Sequence, residues 1–329
     1  MKRILTGIKP TGYVHIGNYF GAIKPAIEFS NNADFESFYF LADYHALNAL
    51  KTKQELEAYT KHLACAWLAC GLDPNKVVFY RQSDVPEIFE LCWILSNVTS
   101  KGLMNRAHAY KAMVEKNQQN GDDVDAGVNM GLYNYPILMA SDILTFDTDI
   151  VPVGLDQKQH IEMARDIANS FNAKYGKTLV VPEEYIQENV AVFYGLDGRK
   201  MSKSYGNTIQ LFGTEEELRK TINRIVTDSR LPGEPKDVDC TINKLYKFFA
   251  TKEQQAKFEE DLKNGLAWGE AKKQLFVVMN AFIAPMREKY DYYMAHYEEV
   301  ENMLKDGAEK ARKIAKAKLE KVRIAIGAK

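Results

Sequence analysis

The amino-acid sequence predicts an α/β fold in which a doubly wound parallel sheet is followed by an all-helical second domain. Short β-rich runs alternate with helical patterns through the first two thirds of the chain, as repeated βαβ units require. After about Tyr205 the strand signals stop while helix starts continue. At 329 residues the chain also exceeds the length of roughly 250–300 at which one core divides, so two domains are expected. On these grounds the sheet is read as Rossmann-type.

Residues 3–8 form the first predicted strand, followed by a Gly/Pro turn and a helix from about Gly17. Residues 37–42 make a second strand. Thr52 with Glu55 three positions on is a capping box, each side chain serving the other's backbone N–H, and it opens a helix to about Cys70. Residues 77–80 supply a third strand and residues 87–97 a helix. Pro136, pre-set for a first helical turn, opens another. Strands at 150–153 and 189–194 flank a helix over 157–171. Thr214 with Glu217 and Thr251 with Gln254 are further capping boxes, and residues 268–296 and 308–326 keep helical periodicity. Residues 117–125 and 231–237 read as exposed loops.

Composition is that of a globular protein, 46% hydrophobic and 26% charged. A net charge of −1 gives no general attraction to a polyanion, so any nucleic-acid surface must be a local basic patch. Cys65, Cys70, Cys92 and Cys240 make no C-x-x-C pair. Cys65 and Cys70 lie in an apolar helical run and read as core residues, and no metal site is expected. The first residues turn to glycine and proline too soon for a signal peptide, and no run of about 18 apolar residues exists to span a membrane. The expected address is cytoplasmic, with no membrane partner.

Two segments carry chemistry. The first, Gly7 to Asn18 (G-I-K-P-T-G-Y-V-H-I-G-N), lies between the first strand and its helix. A phosphate chain needs close backbone approach, which glycine permits, and amide donors, which a helix N-terminus exposes. Pro10 and Gly12 suit any strand–turn–helix. His15 and Asn18, flanking Gly17 one helical turn apart, point further, to two side chains directed at a phosphate. The second segment, Asp197 to Asn207 (D-G-R-K-M-S-K-S-Y-G-N), sets two lysines three positions apart between glycines. By itself it is a solvated basic loop as readily as one that closes over a triphosphate and neutralises charge on a leaving pyrophosphate.

Together, H-I-G-N at 15–18 and K-M-S-K-S at 200–204 resemble the paired signatures of class I aminoacyl-tRNA synthetases. Three blocks narrow the resemblance, which covers essentially the whole chain. G-I-K-P-T-G with H-I-G-N-Y, Y-P-I-L-M-A-S-D-I-L from Tyr135, and V-P-V-G-L-D-Q-K-Q-H from Val151 are similar to the bacterial tryptophanyl-tRNA synthetases. The resemblance implies activation of L-tryptophan with ATP and Mg2+, then transfer to tRNA(Trp), with no covalent enzyme intermediate. It implies that His15, Asn18, Lys200 and Lys203 act catalytically on the phosphates. ATP would be bound by Lys9, Pro10, Thr11, Gly17, Asn18, Gly154, Leu155, Asp156, Val192, Lys200, Met201, Ser202, Lys203 and Ser204, with residues 154–156 on the ribose and Val192 at the adenine. Tryptophan would lie among His45, Tyr135, Met139, Asp142, Val151, Val153 and Gln157.

Some of these residues also carry a physical reading of their own. Tyr135, Met139 and Asp142 are spaced i, i+4, i+7 and share a helix face. A lone carboxylate in an apolar wall needs partners, either nearby backbone N–H groups or, as the family implies, an indole N–H. Asp156 has helix capping as its other reading. His45, just after the second strand, lies at a carboxyl end of the sheet, where ligands of such folds bind, or is a satisfied loop histidine.

The resemblance further implies a catalytic domain over 1–204, with a dimer-forming helical insertion at about 85–131, completed by a C-terminal helix at 296–329. An anticodon-binding helical domain would occupy 205–295, and the assembly would be a homodimer. Residues 310–323 are basic, with an apolar stripe at Ala311, Ala315, Leu319, Val322 and Ile326. That pattern is a helix packed on the body with its lysines in solvent, or one whose cations meet tRNA phosphates. Lys9 departs from the glutamine that relatives often carry. Cys240 is alone in the helical region, so the iron–sulphur cluster of some relatives is not expected. A tyrosyl-tRNA synthetase would show G-S-D-Q where this chain has Gly154-Leu155-Asp156-Gln157, and H-I-G-H for H-I-G-N. A small-molecule nucleotidyltransferase would not need a helical domain for RNA. A non-catalytic paralogue would be expected to have lost a loop lysine.

Overall fold

The computed structural model describes residues 1–154, 157–186 and 193–328. Five parallel strands, β1 (Lys2–Ile8), β2 (Phe35–Leu41), β3 (Val77–Arg81), β4 (Ile150–Val153) and β5 (Glu183–Ile186), lie in the order β3-β2-β1-β4-β5. All C-terminal strand ends share one edge, and the order reverses between β1 and β4, which opens a crevice there. Strand alternation sends Tyr39 and Leu41 into one core and Phe38 and Phe40 into the other. β5 was not anticipated, since its E-E-Y-I sequence carries little strand signal; pairing with β4 overrides that weak propensity. Of the strand expected at 189–194, residues 189–192 lie outside the described residues, and Tyr194 makes only an isolated antiparallel bridge to Lys200.

After β1, α1 (Ile16–Asn18) continues through a wide turn at Tyr19–Ile23 into α2 (Lys24–Ser30). α3 (Asp43–Ala46) follows β2. α4 (Lys53–Ala69) opens on the Thr52–Glu55 capping box and buries Trp67, which stacks 5.4 Å from Tyr39. Beyond β3 come α5 (Glu87–Ser96), α6 (Lys101–Met104), α7 (His108–Asn120) and α8 (Met130–Thr145). α7 runs into the stretch expected to be a loop, because the first residue able to take the left-handed terminating conformation is Gly121, at φ 76°. α8 begins at Met130 instead of Pro136. The Asn129 side chain accepts from the Leu132 N–H, and this cap starts the helix upstream, leaving Pro136 inside it at the loss of one backbone bond.

α9 (Lys158–Tyr175) connects β4 to β5, and beyond β5 lies a helical array of α10 (Glu215–Asn223), α11 (Thr241–Tyr246), α12 (Lys252–Lys263) and α13 (Trp268–Ala295). α10 and α12 open on the two remaining capping boxes. α13 lies along α4. Phe20 stacks 4.7 Å from Phe193 and 5.8 Å from Phe282, so the array and one face of the sheet share a core. In the stretch 231–237, expected to be exposed, Lys236 turns inward and donates to the Leu231 and Glu234 carbonyls at 2.5 and 2.6 Å.

α14 (Tyr297–Ile326) covers the open edge of β3. A Cβ at Gly307 would lie 1.8 Å from the Phe79 carbonyl oxygen, so glycine alone lets the helix meet the strand backbone and seal the edge. Ala311, Ala315, Leu319 and Val322 are buried, with Ile326 packed partly against them. The cations of this helix are not all in solvent. Lys318 is 4% exposed, pairs with Asp147 and donates to the Thr178 carbonyl at 2.9 Å. Arg312 grips Glu87 at 2.9 Å and Arg323 grips Glu90 at 2.5 and 2.7 Å, binding α14 to α5. Lys313 and Lys316 remain exposed. Among the described residues no helix is long and apolar enough to cross a membrane.

Candidate active site

β1 hands the chain to a turn at Lys9-Pro10-Thr11-Gly12, where Gly12 takes φ +127°, a conformation that side chains disfavour. The next residues are held from two sides. Leu211 N–H donates to the Val14 carbonyl at 3.0 Å and Ile16 N–H to the Ile209 carbonyl at 3.0 Å. The Val14 N–H donates to His62 Nε2 at 2.8 Å. α1 then opens on a reciprocal cap: Asn18 N–H donates to His15 Nδ1 at 3.3 Å, and His15 N–H donates to Asn18 Oδ1 at 3.2 Å. The two side chains flank Gly17 as expected, but each already holds the other's backbone. Because Nδ1 accepts, the ring proton sits on Nε2 and makes that nitrogen a donor. Burial, and then the charge of Lys203, push the His15 pKa from 6.5 to about 4, so the ring is neutral at pH 7.

The lysine loop returns over this turn. Asn207, 3% exposed, closes it: Nδ2 donates to Asp197 at 2.7 Å and to the Lys200 carbonyl at 3.2 Å, while Oδ1 accepts from Ser202 N–H at 2.8 Å. Met201 is buried and lies against the start of α1, where a Cβ on Gly17 would crowd the His15 ring at 3.1 Å. Lys203 Nζ reaches the Thr11 carbonyl at 3.5 Å, and desolvation there lowers its pKa. The Ser202 and Ser204 hydroxyls meet at 2.8 Å. Lys200 lies on the exposed side of the loop.

A second cluster sits at the ends of β2 and β3. Asp142 on α8 is 1% exposed and receives Gln82 Nε2 at 2.8 and 3.0 Å and His45 Nε2 at 2.9 Å. His45 stands on α3 just after β2, and Gln82 just after β3. The Asp43 carboxylate ties these strand ends together by accepting from Tyr44 and Ser83 N–H, both at 3.1 Å. The partners of Asp142 are thus side chains rather than the backbone groups weighed from sequence. Burial raises its pKa, opposed by His45 and Gln82. The Tyr80 hydroxyl and His45 Nδ1 are buried and have no hydrogen-bond partner among the described residues.

Tyr135, on the same face of α8, lies 4.5 Å from the His45 ring and 5.4 Å from His160. Lys9 Nζ stands 5.2 Å over the Tyr135 ring and joins the turn to this cluster. Met139 and Val153 are partly buried in the adjoining core, and Val151 is buried in it. Gln157 N–H donates to the Gly154 carbonyl at 2.9 Å at the start of α9. Leu155, Asp156 and Val192 lie outside the described residues. Gln82, Asp43, His62 and Asn207 were missed from sequence; of these only Asn207 lay within a recognised motif. Among the described residues no group of three or more His, Cys, Asp or Glu is placed to hold a metal ion.

A glycine turn opening a helix at the switch point of a parallel sheet, covered by a two-lysine loop, is the arrangement of a nucleotide-binding enzyme of the class I synthetase type. Residues 1–284 match the family model described as tRNA synthetases class I (W and Y), and the chain belongs to this family. It is 52% identical to the tryptophan–tRNA ligase of Neisseria meningitidis over 328 residues, 99% of this chain and 98% of that protein. It is 54% identical to that of Pseudomonas aeruginosa over 329 residues, 99% of this chain and 73% of the relative. A tryptophanyl-tRNA synthetase from Campylobacter jejuni, solved with ADP and tryptophan, superposes with a TM-score of 0.92 at 44% identity, covering 99% of both chains. A tyrosyl-tRNA synthetase from Archaeoglobus fulgidus, solved with L-tyrosine, is 22% identical with a TM-score of 0.60 over 88% of this chain, a likeness of fold alone. Within the family the chain therefore stands with the tryptophan enzymes.

Proposed function

We propose that this chain activates L-tryptophan with ATP to tryptophanyl-adenylate and pyrophosphate, and transfers the tryptophanyl group to tRNA(Trp). The observation that carries this reading is Asp142, a buried carboxylate at the strand ends beside the nucleotide turn. A carboxylate has about four acceptor positions, and His45 and Gln82 occupy three. An indole N–H, a donor with no acceptor, fits the fourth. Tyr135, Met139, His45, Gln157, Val151 and Val153 would complete the amino-acid pocket.

In the first step a tryptophan carboxylate oxygen attacks the α-phosphorus, the bond to the β-phosphate breaks, and pyrophosphate leaves. The terminal ribose hydroxyl of tRNA then attacks the activated carbonyl and releases AMP. Neither step needs a nucleophilic side chain, so the protein acts by positioning and by stabilising charge. The α1 amides, the His15 Nε2–H, Asn18 and Lys9 to Thr11 would meet the phosphates from below. Lys200, Met201, Ser202, Lys203 and Ser204 would close from above, with Gly17 against the nucleotide, residues 154–156 at the ribose and Val192 at the adenine. Mg2+ would arrive on the ATP phosphates and supply charge neutralisation there, since the described residues offer no cage of their own.

The domain limits 1–204 with 296–329, and 205–295 for anticodon binding, belong to the same reading, as do a homodimer formed through residues 85–131 and a cytoplasmic location. Arg312, Lys318 and Arg323 already have partners within the chain, whereas Lys313 and Lys316, like Lys310 and Lys321 on the same helix, are exposed and open to tRNA phosphates. The test is charging of a tRNA(Trp) transcript with tryptophan. Tryptophan ester should accumulate on the RNA; adenylate formation without any charging would favour a nucleotidyltransferase instead.

A further inference from the structure

His62 belongs to neither the nucleotide turn nor the lysine loop. It projects from α4, is 3% exposed, and touches both the turn and the helical array. Its Nε2 accepts from the Val14 N–H at 2.8 Å, and its Nδ1 lies 2.6 Å from the Tyr290 hydroxyl on α13. A backbone N–H can only donate, so Nε2 is unprotonated and Nδ1–H donates to Tyr290. The Tyr290 ring stacks 4.3 Å from Phe212, at an interplanar angle of 13°. Phe212 follows Leu211, whose N–H holds the Val14 carbonyl at 3.0 Å. The contacts form a closed circuit: Val14, His62, Tyr290, Phe212, Leu211 and back to Val14. It links the residue before His15, two helices, and the segment leaving the lysine loop.

A histidine that only filled the core would need no particular acceptor at this place. Here an apolar ring of the same shape would strand the Val14 N–H in a residue 4% exposed. A turn set wrongly by a fraction of an ångström carries the His15 donor and the α1 amides with it, and in-line attack depends on such placement. We infer that His62 is a positioning residue for adenylate formation, holding the nucleotide turn at its working height, and that Tyr290 ties that height to the helical array. The inference rests on the functional reading above.

The test uses the full chain in tryptophan-dependent ATP–pyrophosphate exchange. His62→Phe keeps a ring and removes the acceptor; Tyr290→Phe keeps the stack on Phe212 and removes the hydroxyl. The kcat should fall about 10²-fold in the first, where a buried N–H is stranded, and about tenfold in the second, where one hydrogen bond is lost. Tryptophan affinity, read by fluorescence, should stay unchanged in both, and His62→Gln should recover part of the kcat. Nitrogen-15 spectra of the unmutated chain should show His62 as the neutral Nδ1–H form. Unchanged kcat in either folded phenylalanine variant overturns the inference, as does a parallel loss of kcat and tryptophan binding, or an Nε2–H tautomer. If His62→Phe does not fold, Tyr290→Phe and the tautomer decide. Absence of exchange with tryptophan in the unmutated chain would instead overturn the functional reading beneath it.

Discussion

The proposed nucleotide turn and the proposed amino-acid pocket sit side by side at one edge of the sheet and are built from opposite materials. The turn is backbone: Gly12 in a left-handed conformation, the opening amides of α1, and polar side chains that hold nearby main chain. The pocket is side chains gathered from afar, with His45 separated from Asp142 by 97 residues and Gln82 by 60. On the proposed reading the turn relies on charges near water that act when a ligand arrives. The pocket relies on a carboxylate sealed from water, whose partners must be complete because burial makes each missing one costly. The first region should therefore fail in rate and the second in specificity.

The largest effect on the turn side should come from the loop lysine over Thr11. Lys203→Ala is expected to slow adenylate formation by about 10²–10³, the usual consequence of removing one preorganised charge-stabilising group, while ATP binding in the ground state changes little. Single-turnover chemistry measured beside equilibrium ATP binding separates the two. Equal small losses in both would make the loop a docking surface, and the contrast between rate and specificity would break.

A smaller effect separates the regions by acid response. His15 and His62 are held near 4 against an ordinary 6.5, chiefly by burial. The unfolded chain binds protons there that the native chain refuses, so this contribution is complete above about pH 6.5 and is lost as pH falls towards 4, by at most roughly 3 kcal/mol for each ring. Asp142 acts in the opposite sense: its raised pKa favours the native state at low pH and that contribution is lost as pH rises. Urea midpoints between pH 7 and 5 should fall on acidification, and His62→Phe should flatten the slope. An equal slope in the variant would mean that His62 is not held neutral by the fold.

The same division explains what was legible from sequence. The turn and the lysine loop are written in consecutive letters, so His15, Gly17, Met201 and Lys203 can be named from the order of the residues alone. Asp142 was legible because its i, i+4, i+7 spacing with Tyr135 and Met139 survives folding of α8. Gln82 and Asp43 were not, since their meaning exists only where two strand ends converge. His62 was hidden further, its partner Tyr290 lying 228 residues away. β5 and the start of α8 were misjudged for a related reason: pairing with β4 and a cap at Asn129 outweighed what E-E-Y-I and Pro136 suggest locally. In α14 the basic stripe looked solvated, yet Asp147, Glu87 and Glu90 claim three of its cations.

On the proposed reading the buried acceptor at Asp142 selects an indole donor. The direct measurement is ATP–pyrophosphate exchange with tryptophan, tyrosine and phenylalanine, in the unmutated chain and in Asp142→Ala. A site built around an acceptor rejects ligands that leave it unpaired, so tyrosine and phenylalanine should support exchange roughly 10⁴-fold more weakly in kcat/KM. Asp142→Ala should erase most of that difference by lowering the tryptophan rate. Comparable exchange with tyrosine in the unmutated chain, or full discrimination surviving in Asp142→Ala, would contradict the account.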